Sequence, residues 1–491
     1  MLHRKTFRER PWLLLLSISL GLFMVVVDVS ILNIALPSIA DGLHASMVSL
    51  QWTLISYTVA LTALVPFFGR VSDVLGRKRL FISGLLIFTA GSLLAALAHS
   101  VGWLITARIV QAVGGALITT NTLAIITDTF PAGKRGVAMG IQSILISGGA
   151  AIGPTLGGFL VTHFGWEAVF FVNLPVGLLA AVLAFKVLPP LQTHRTLEPI
   201  DWPGGILIIA CMVPLMLALT KGSDWGWNSP LVYVLAGGGI VLLTAFIVWE
   251  KSIQHPIIDL SLFTNRSFTA GQLAGMFATI SMSSMMFIMP FYWQGLRALD
   301  AQEAGLLMLP LPLTLMVVAP IAGRLSDLKG ARWIASAGLL TIMAALYLIS
   351  QITAHMPIWN VIWRFMVLGA GLGSFTAPNN NAIMSLVPPQ KRGIASGLLG
   401  TFRFTGQSLG IAISGAVFNS MLVGASGLGS GELPSPEMIA RIAQNALAME
   451  AFEASFINAM RTVCLVVIPL AAIGLMISFS REDQSKSPST S

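Results

Sequence analysis

One acid occupies a position where acids are costly. Asp28 lies in the apolar run VVVDVSILNIALP, residues 25–37, and it is the only carboxylate deep inside any apolar block. A charged side chain at mid-membrane costs about 2.5–3.5 kcal/mol on insertion scales, so its retention points to function or to a partner. Three arginines, Arg108, Arg364 and Arg403, also fall within apolar blocks. At 1.5 Å rise per residue, Asp28 and Arg108 lie roughly 12 and 9 Å from the outer ends of their segments, a comparable depth. Burial favours the protonated acid and a neighbouring guanidinium favours the carboxylate. An acid held between these influences can load and release a proton, which makes Asp28 and Arg108 the candidates for proton coupling. A purely structural ion pair is the alternative reading.

The elements that position these groups follow from composition. The 491 residues are 55% hydrophobic and only 10% charged, with a mean hydropathy of +0.83, whereas a soluble chain carries roughly a quarter charged residues. The apolar excess falls into fourteen blocks, approximately 12–36, 49–69, 80–98, 102–126, 137–160, 168–187, 203–220, 230–249, 269–292, 304–322, 333–351, 358–384, 393–420 and 457–479. Each is near the length a bilayer requires, and lipid leaves exposed backbone no partner, so all are expected to be helices. The N-terminal run resembles a signal peptide in its basic start, but its apolar stretch continues past Asp28 and is read as the first span.

With the N-terminus cytoplasmic, 21 of the 28 Lys and Arg fall in cytoplasmic loops, and Lys221, Arg297, Arg441 and Arg461 fall outside. That asymmetry sets the expected orientation, with both termini cytoplasmic in a plasma membrane, expected to be a bacterial inner one. It also accounts for the net charge of +8 without nucleic acid as a partner. Residues 421–456 form an outer loop in which Ser435 and Pro436 have the form of an N-cap and first helical residue. The tail from 481 is polar and expected to be disordered.

The chain repeats itself. At an offset of 257, Pro131, Lys134, Arg135, Gly136, Gly140, Gly149, Gly153 and Gly158 match Pro388, Lys391, Arg392, Gly393, Gly397, Gly406, Gly410 and Gly415; GRVSD at 69–73 matches GRLSD at 323–327. Matched pairs differ by eight spans rather than six. The expected organisation is therefore a six-helix half over 1–187, a linker with two inserted helices over 188–266, and a second six-helix half over 267–480. Repeats of this kind frame a midplane site in many secondary transporters.

GRVSDVLGRKR, residues 69–79, resembles the signature loop of the major facilitator superfamily. The resemblance implies a cytoplasmic gate of Gly69, Asp73, Gly76 and Arg77, with Asp128 as partner and Asp327 in the second copy, which stabilises the outward-open state. Residues 25–37 resemble the first-span motif of fourteen-spanner drug:proton antiporters of QacA/EmrB type. ARIVQAVGGA, residues 107–116, resembles the fourth-span motif, whose arginine is linked to proton transfer. GGAAIGPTLGG, residues 148–158, resembles the fifth-span antiporter motif, here Gly149, Gly153, Pro154, Gly157 and Gly158. Ile411 replaces Pro154 in the second copy, so that bend belongs to one half. GWEAVFFVNLP, residues 165–175, carries only Trp166 where the family often has two tryptophans. The implied fold is an all-α major facilitator bundle of fourteen spans.

Candidates for a substrate cavity are Asn33, Trp52, Tyr57, Gln111, Met286, Tyr292 and Arg403. With one buried acid against three arginines, divalent cations are disfavoured as cargo; neutral, zwitterionic, anionic and monovalent lipophilic compounds remain open. Met276, Met282, Met285, Met286 and Met289 read either as an adaptable binding face or as ordinary packing. Cys211 and Cys464 lack partners for a disulfide or zinc, and no Walker-type loop occurs. The expectation is a non-enzymatic transporter with no cofactor and no metal, driven by a proton gradient. Its partners are lipid, protons, a small-molecule substrate and an accessory efflux protein of unknown kind. Export of a metabolite, siderophore or lipid is the alternative to drug efflux, and a non-transporting receptor the third reading.

Overall fold

The computed structural model describes residues 11–45, 47–188, 199–299, 301–426 and 446–479, and these form helices and loops with no strand among them. The first set of helices is α1 (Pro11–Gly42), α2 (Met47–Leu75), α3 (Arg77–Ala96), α4 (Val101–Thr129), α5 (Ala132–Phe164), the single turn α6 (Ala168–Phe171) and α7 (Asn173–Val187). A further pair follows, α8 (Trp202–Trp225) and α9 (Pro230–Ser252). The last set is α10 (Arg266–Pro290), α11 (Ala301–Met308), α12 (Pro310–Lys329), α13 (Ala331–Ile349), α14 (Ile358–Ser385), α15 (Arg392–Ser426) and α16 (Ala446–Phe479).

Helix starts are set by local chemistry. Ser100 accepts from the Trp103 amide and Asp201 from the Gly204 amide, each satisfying an otherwise orphaned N–H. Gly76 and Gly330, 254 residues apart, take positive φ values of 105° and 89° where the chain turns into α3 and α13. A side chain would strain either turn. After Pro290 the chain widens into a π-helical turn, Phe291–Leu296, that buries Tyr292 and Trp293.

Thirteen helices among the described residues are long and apolar enough to cross a membrane. The 35-residue α15, counted as a span from the sequence, is not among them; Arg403 and Gln407 sit in its middle. The helices also run past the sequence boundaries, α1 to Gly42 and α5 from Ala132 to Phe164. Residues 446–456, expected in an outer loop, instead begin α16. The expected helix start at Ser435, most of the 188–200 linker and the polar tail lie outside the described residues.

Within each set, close packing relies on missing side chains. Gly114 of α4 lies against Gly84 and Phe88 of α3, and in the last set Gly371 of α14 lies against Ile342 and Gly338 of α13. Helix α8 packs on both α2 and α15, so it covers the seam where the two sets meet. Tyr233, Val234, Val241 and Val248 of α9 are exposed, an apolar face suited to lipid.

Candidate functional site

Asp28 is buried in α1, and α4 and α7 bring three donors to it. Arg108 Nη1 reaches Oδ2 at 2.5 Å, while Gln111 Nε2 and Asn173 Nδ2 reach Oδ1 at 2.8 and 2.7 Å. Ser92 of α3 accepts from both amides, at 2.8 and 3.3 Å. The Arg108 guanidinium also donates to Gln111 and lies 4.1 Å from the centre of the Tyr57 ring. Asp28 and Arg108 are 2% and 0% exposed. Such a pair is tolerated away from water because further hydrogen bonds fill the remaining lone pairs. Arg108 Nε and Nη2 and the Tyr57 hydroxyl keep no partner within the protein.

A second cluster joins the two sets of helices. Asp73, at the end of α2, accepts from the amides of Gly393 and Ile394 at 2.8 and 3.0 Å, capping the start of α15. Its repeat counterpart Asp327, at the end of α12, accepts from Gly136 and Val137 of α5 at 3.1 and 3.3 Å. Each carboxylate thus holds a helix N-terminus of the opposite set, where amides and helix dipole both favour an anion. Arg77 adds a web on one side only. It donates to Asp73 and to the Pro389 carbonyl, both at 2.6 Å, and pairs with Asp128, which receives Arg392 at 2.6 Å. Ala331 and Ser385 stand where the second copy would need Arg77 and Asp128.

The repeated glycines divide their work. Gly136 and Gly140 of α5 press on Gly323 and Pro320 of α12, and Gly393 and Gly397 of α15 press on α2. More than two turns further on, Gly149, Gly153 and Gly157 face Phe23, Ser30 and Ile31 of α1, while Gly406 and Gly410 face Met276 and Ile280 of α10. The same two helices therefore meet the opposite set at the Asp73 and Asp327 end and their own set beyond it. Gly158, expected in the same packing run, has nothing within 4 Å of a Cβ placed there, and the Pro154 side chain lies outside the described residues.

Beyond the Asp73 and Asp327 contacts a cavity of about 620 Å³ opens between the sets, lined by α1, α2, α4 and α5 on one side and by α10, α12, α14 and α15 on the other. Val25, Val26 and Val29 face it from α1, and Asp28 lies on the other side of that helix, toward α4 and α7.

The sequence of the chain matches the Major Facilitator Superfamily model over residues 18–411. The chain belongs to this superfamily. It is 35% identical over 414 residues to the riboflavin transporter RibZ of Clostridioides difficile, covering 84% of this chain and 90% of that protein. It is 32% identical over 413 residues to the tetracenomycin C resistance and export protein of Streptomyces glaucescens, covering 84% and 77%. To the multidrug resistance protein Stp of Mycobacterium tuberculosis it is 30% identical over 411 residues, covering 84% and 76%. The fold is shared with the proton:xylose symporter XylE, at a TM-score of 0.64 and 13% identity over 92% of this chain and 95% of that one. The human organic anion transporter MFSD10 gives 0.63 at 14% over 94% and 99%. A transporter, not an enzyme, is what this membership describes.

Seen as a major facilitator protein, the chain corrects several expectations drawn from sequence. Of the cavity candidates, Met286 and Arg403 line the cavity. Gln111 and Tyr57 belong instead to the Asp28 cluster, because they share the inner faces of α4 and α2 with Arg108. Trp52 packs at 6.3 Å on Trp225 and at 5.8 Å from Lys221, both on α8. Tyr292 is buried against Trp293, and its hydroxyl donates to the Thr353 carbonyl. The Asn33 side chain lies outside the described residues. Asn173, Arg392, and the cavity amides Gln142, Gln272, Asn379, Asn380 and Gln407 were not singled out, although an amide inside an apolar block is itself a signal that something polar must be met there.

Proposed function

We propose that the chain is a proton-coupled exporter of small, drug-like compounds that works by alternating access across a plasma membrane, with fourteen spans, α8 and α9 being the inserted two. The observation that carries the reading is Asp28 locked to Arg108 behind a cavity closed at one end. Arg108, Gln111 and Asn173 hold the deprotonated acid, so protonation releases three donors and loosens α1 from α4 and α7. Since α1 lines the cavity on its other face, the same movement reshapes the substrate site. This exchange of one proton for one set of contacts is the form coupling takes in a population-shift account.

The gate end is taken as cytoplasmic, from the distribution of Lys and Arg, so the arrangement corresponds to a state closed toward the cytoplasm. The names of the tetracenomycin C exporter and of Stp support an efflux reading. The relative named as a riboflavin transporter supports a second one, in which the cargo is a dedicated heteroaromatic compound. Everted vesicles loaded with a pH-reporting dye test the mechanism. Substrate should release protons in wild type and not in Asp28→Asn; undiminished release in the variant rules out Asp28 as the coupling group.

A further inference from the structure

From the cavity lining we infer that the substrate site selects against organic cations and takes planar compounds that are anionic or carry an amide-like edge. Among the described residues, no acid lines the cavity, and Arg403 is its one charged group. The nearest intramembrane carboxylate, Asp28, is on the far side of α1 and already neutralised by Arg108. A cation entering this space would give up its hydration with no opposite charge to meet, and it would face a guanidinium.

Positive selection has its own residues. Gly406 and Gly410 of α15 lie against Met276 and Ile280 of α10, so the two helices run in one register, and that register sets Arg403 level with Gln272. Gln272 is 0% exposed, yet neither its Oε1 nor its Nε2 has a partner within the protein. Ser396 Oγ, also on the lining, is likewise without one. An unpaired amide presenting a donor and an acceptor together fits an amide or imide edge, and Arg403, at about the same depth on the lining, fits a carboxylate, phenolate or deprotonated imide. Phe287, Phe375 and Phe404 supply faces for a flat apolar body. The volume of about 620 Å³ is ample for a drug-sized ligand.

This assignment rests on the transport reading only for its use, since binding can be read without transport. The test uses the full chain in lipid nanodiscs with two dyes that share a three-ring xanthene core, anionic fluorescein and cationic pyronin, measured by fluorescence polarisation. Fluorescein should bind at least about tenfold more tightly. Arg403→Gln should weaken it about 10- to 100-fold, the range of a charge-assisted bond, Arg403→Lys should retain most of the affinity, and Gln272→Glu should move the preference toward pyronin. Pyronin binding as tightly as fluorescein overturns the proposal. So does unchanged fluorescein affinity in a monodisperse Arg403→Gln, or binding of neither fluorescein nor the smaller anion naphthoate. Counterflow in proteoliposomes separates the two readings. Selective fluorescein binding with no counterflow sinks transport and supports the site, whereas counterflow of pyronin alone overturns the site and leaves transport standing.

Discussion

The two gate carboxylates are related by the repeat but are not equal, and the difference is measurable. Asp73→Asn keeps one acceptor for the α15 amides but loses the charge at that helix N-terminus, one of the bonds at 2.8 and 3.0 Å, and the link to Arg77. A hydrogen bond to a charged group contributes about 1.5–3 kcal/mol, and a charge at a helix end up to about 2. Burying that charge on closure offsets part of this, leaving about 2 kcal/mol, or about a 30-fold shift in the closed-to-open ratio. Asp327→Asn likewise loses the charge and one of two longer bonds, 3.1 and 3.3 Å, but its remaining side-chain partner is the neutral Asn381 and no arginine bond is lost. A shift of about 1 kcal/mol, near fivefold, is expected there. Spin labels at the exposed pairs Leu75 with Gln390 and Gly133 with Leu328 report both seams by pulsed dipolar spectroscopy. Asp73→Asn should populate a longer distance at the gate more than Asp327→Asn does. Equal shifts, or a larger one from Asp327→Asn, would refute the reasoning.

Three further outcomes follow from the same contacts. Asp28→Asn alone strands a fully buried guanidinium and should cost about 3–5 kcal/mol of stability, whereas adding Arg108→Gln should recover part of that loss, read by thermal unfolding in detergent. A Cβ at Gly140 would meet the Pro320 Cα at 2.5 Å, so Gly140→Val should hold the gate open and abolish transport while Gly158→Ala, in open space, stays near wild type in both assays. Burial pushes the Asp259 carboxyl up, but bonds from Lys391 and Ser261 outweigh it and hold it below its usual 3.8. The Asp259 contact with Lys391 is therefore intact at neutral pH and lost as pH falls through that lowered value. Asp259→Asn should speed proteolysis of the 253–265 loop at neutral pH and make no difference once acid has protonated the wild-type carboxyl.

The parts of this protein that were legible in the sequence are those where one strong physical term decides the matter. Asp28 and Arg108 could be paired because charges are rare in apolar runs and helix rise fixes their depth. Asp73 and Asp327 could be placed because the repeat forces a second copy of the first contact. The cavity was harder: Gln142, Gln272 and Asn379 come from three helices more than a hundred residues apart at the extremes, and no local spacing brings them together. Tyr57 and Gln111 were misplaced because polarity inside a span says that a partner exists without saying which side of the helix it is on. The position of α8 over the seam between α2 and α15 left no trace, since a helix packed on one face and lipid-facing on another is apolar all round.

Proton-driven transport is the central claim of the proposed function, and purified wild-type protein in sealed liposomes tests it without interference from other carriers. An imposed pH gradient, with the substrate compartment opposite the acidic one, should drive fluorescein or the identified cargo uphill toward the acid side, and a protonophore should abolish that accumulation. Equilibration at the same rate and to the same extent with and without the gradient would contradict it.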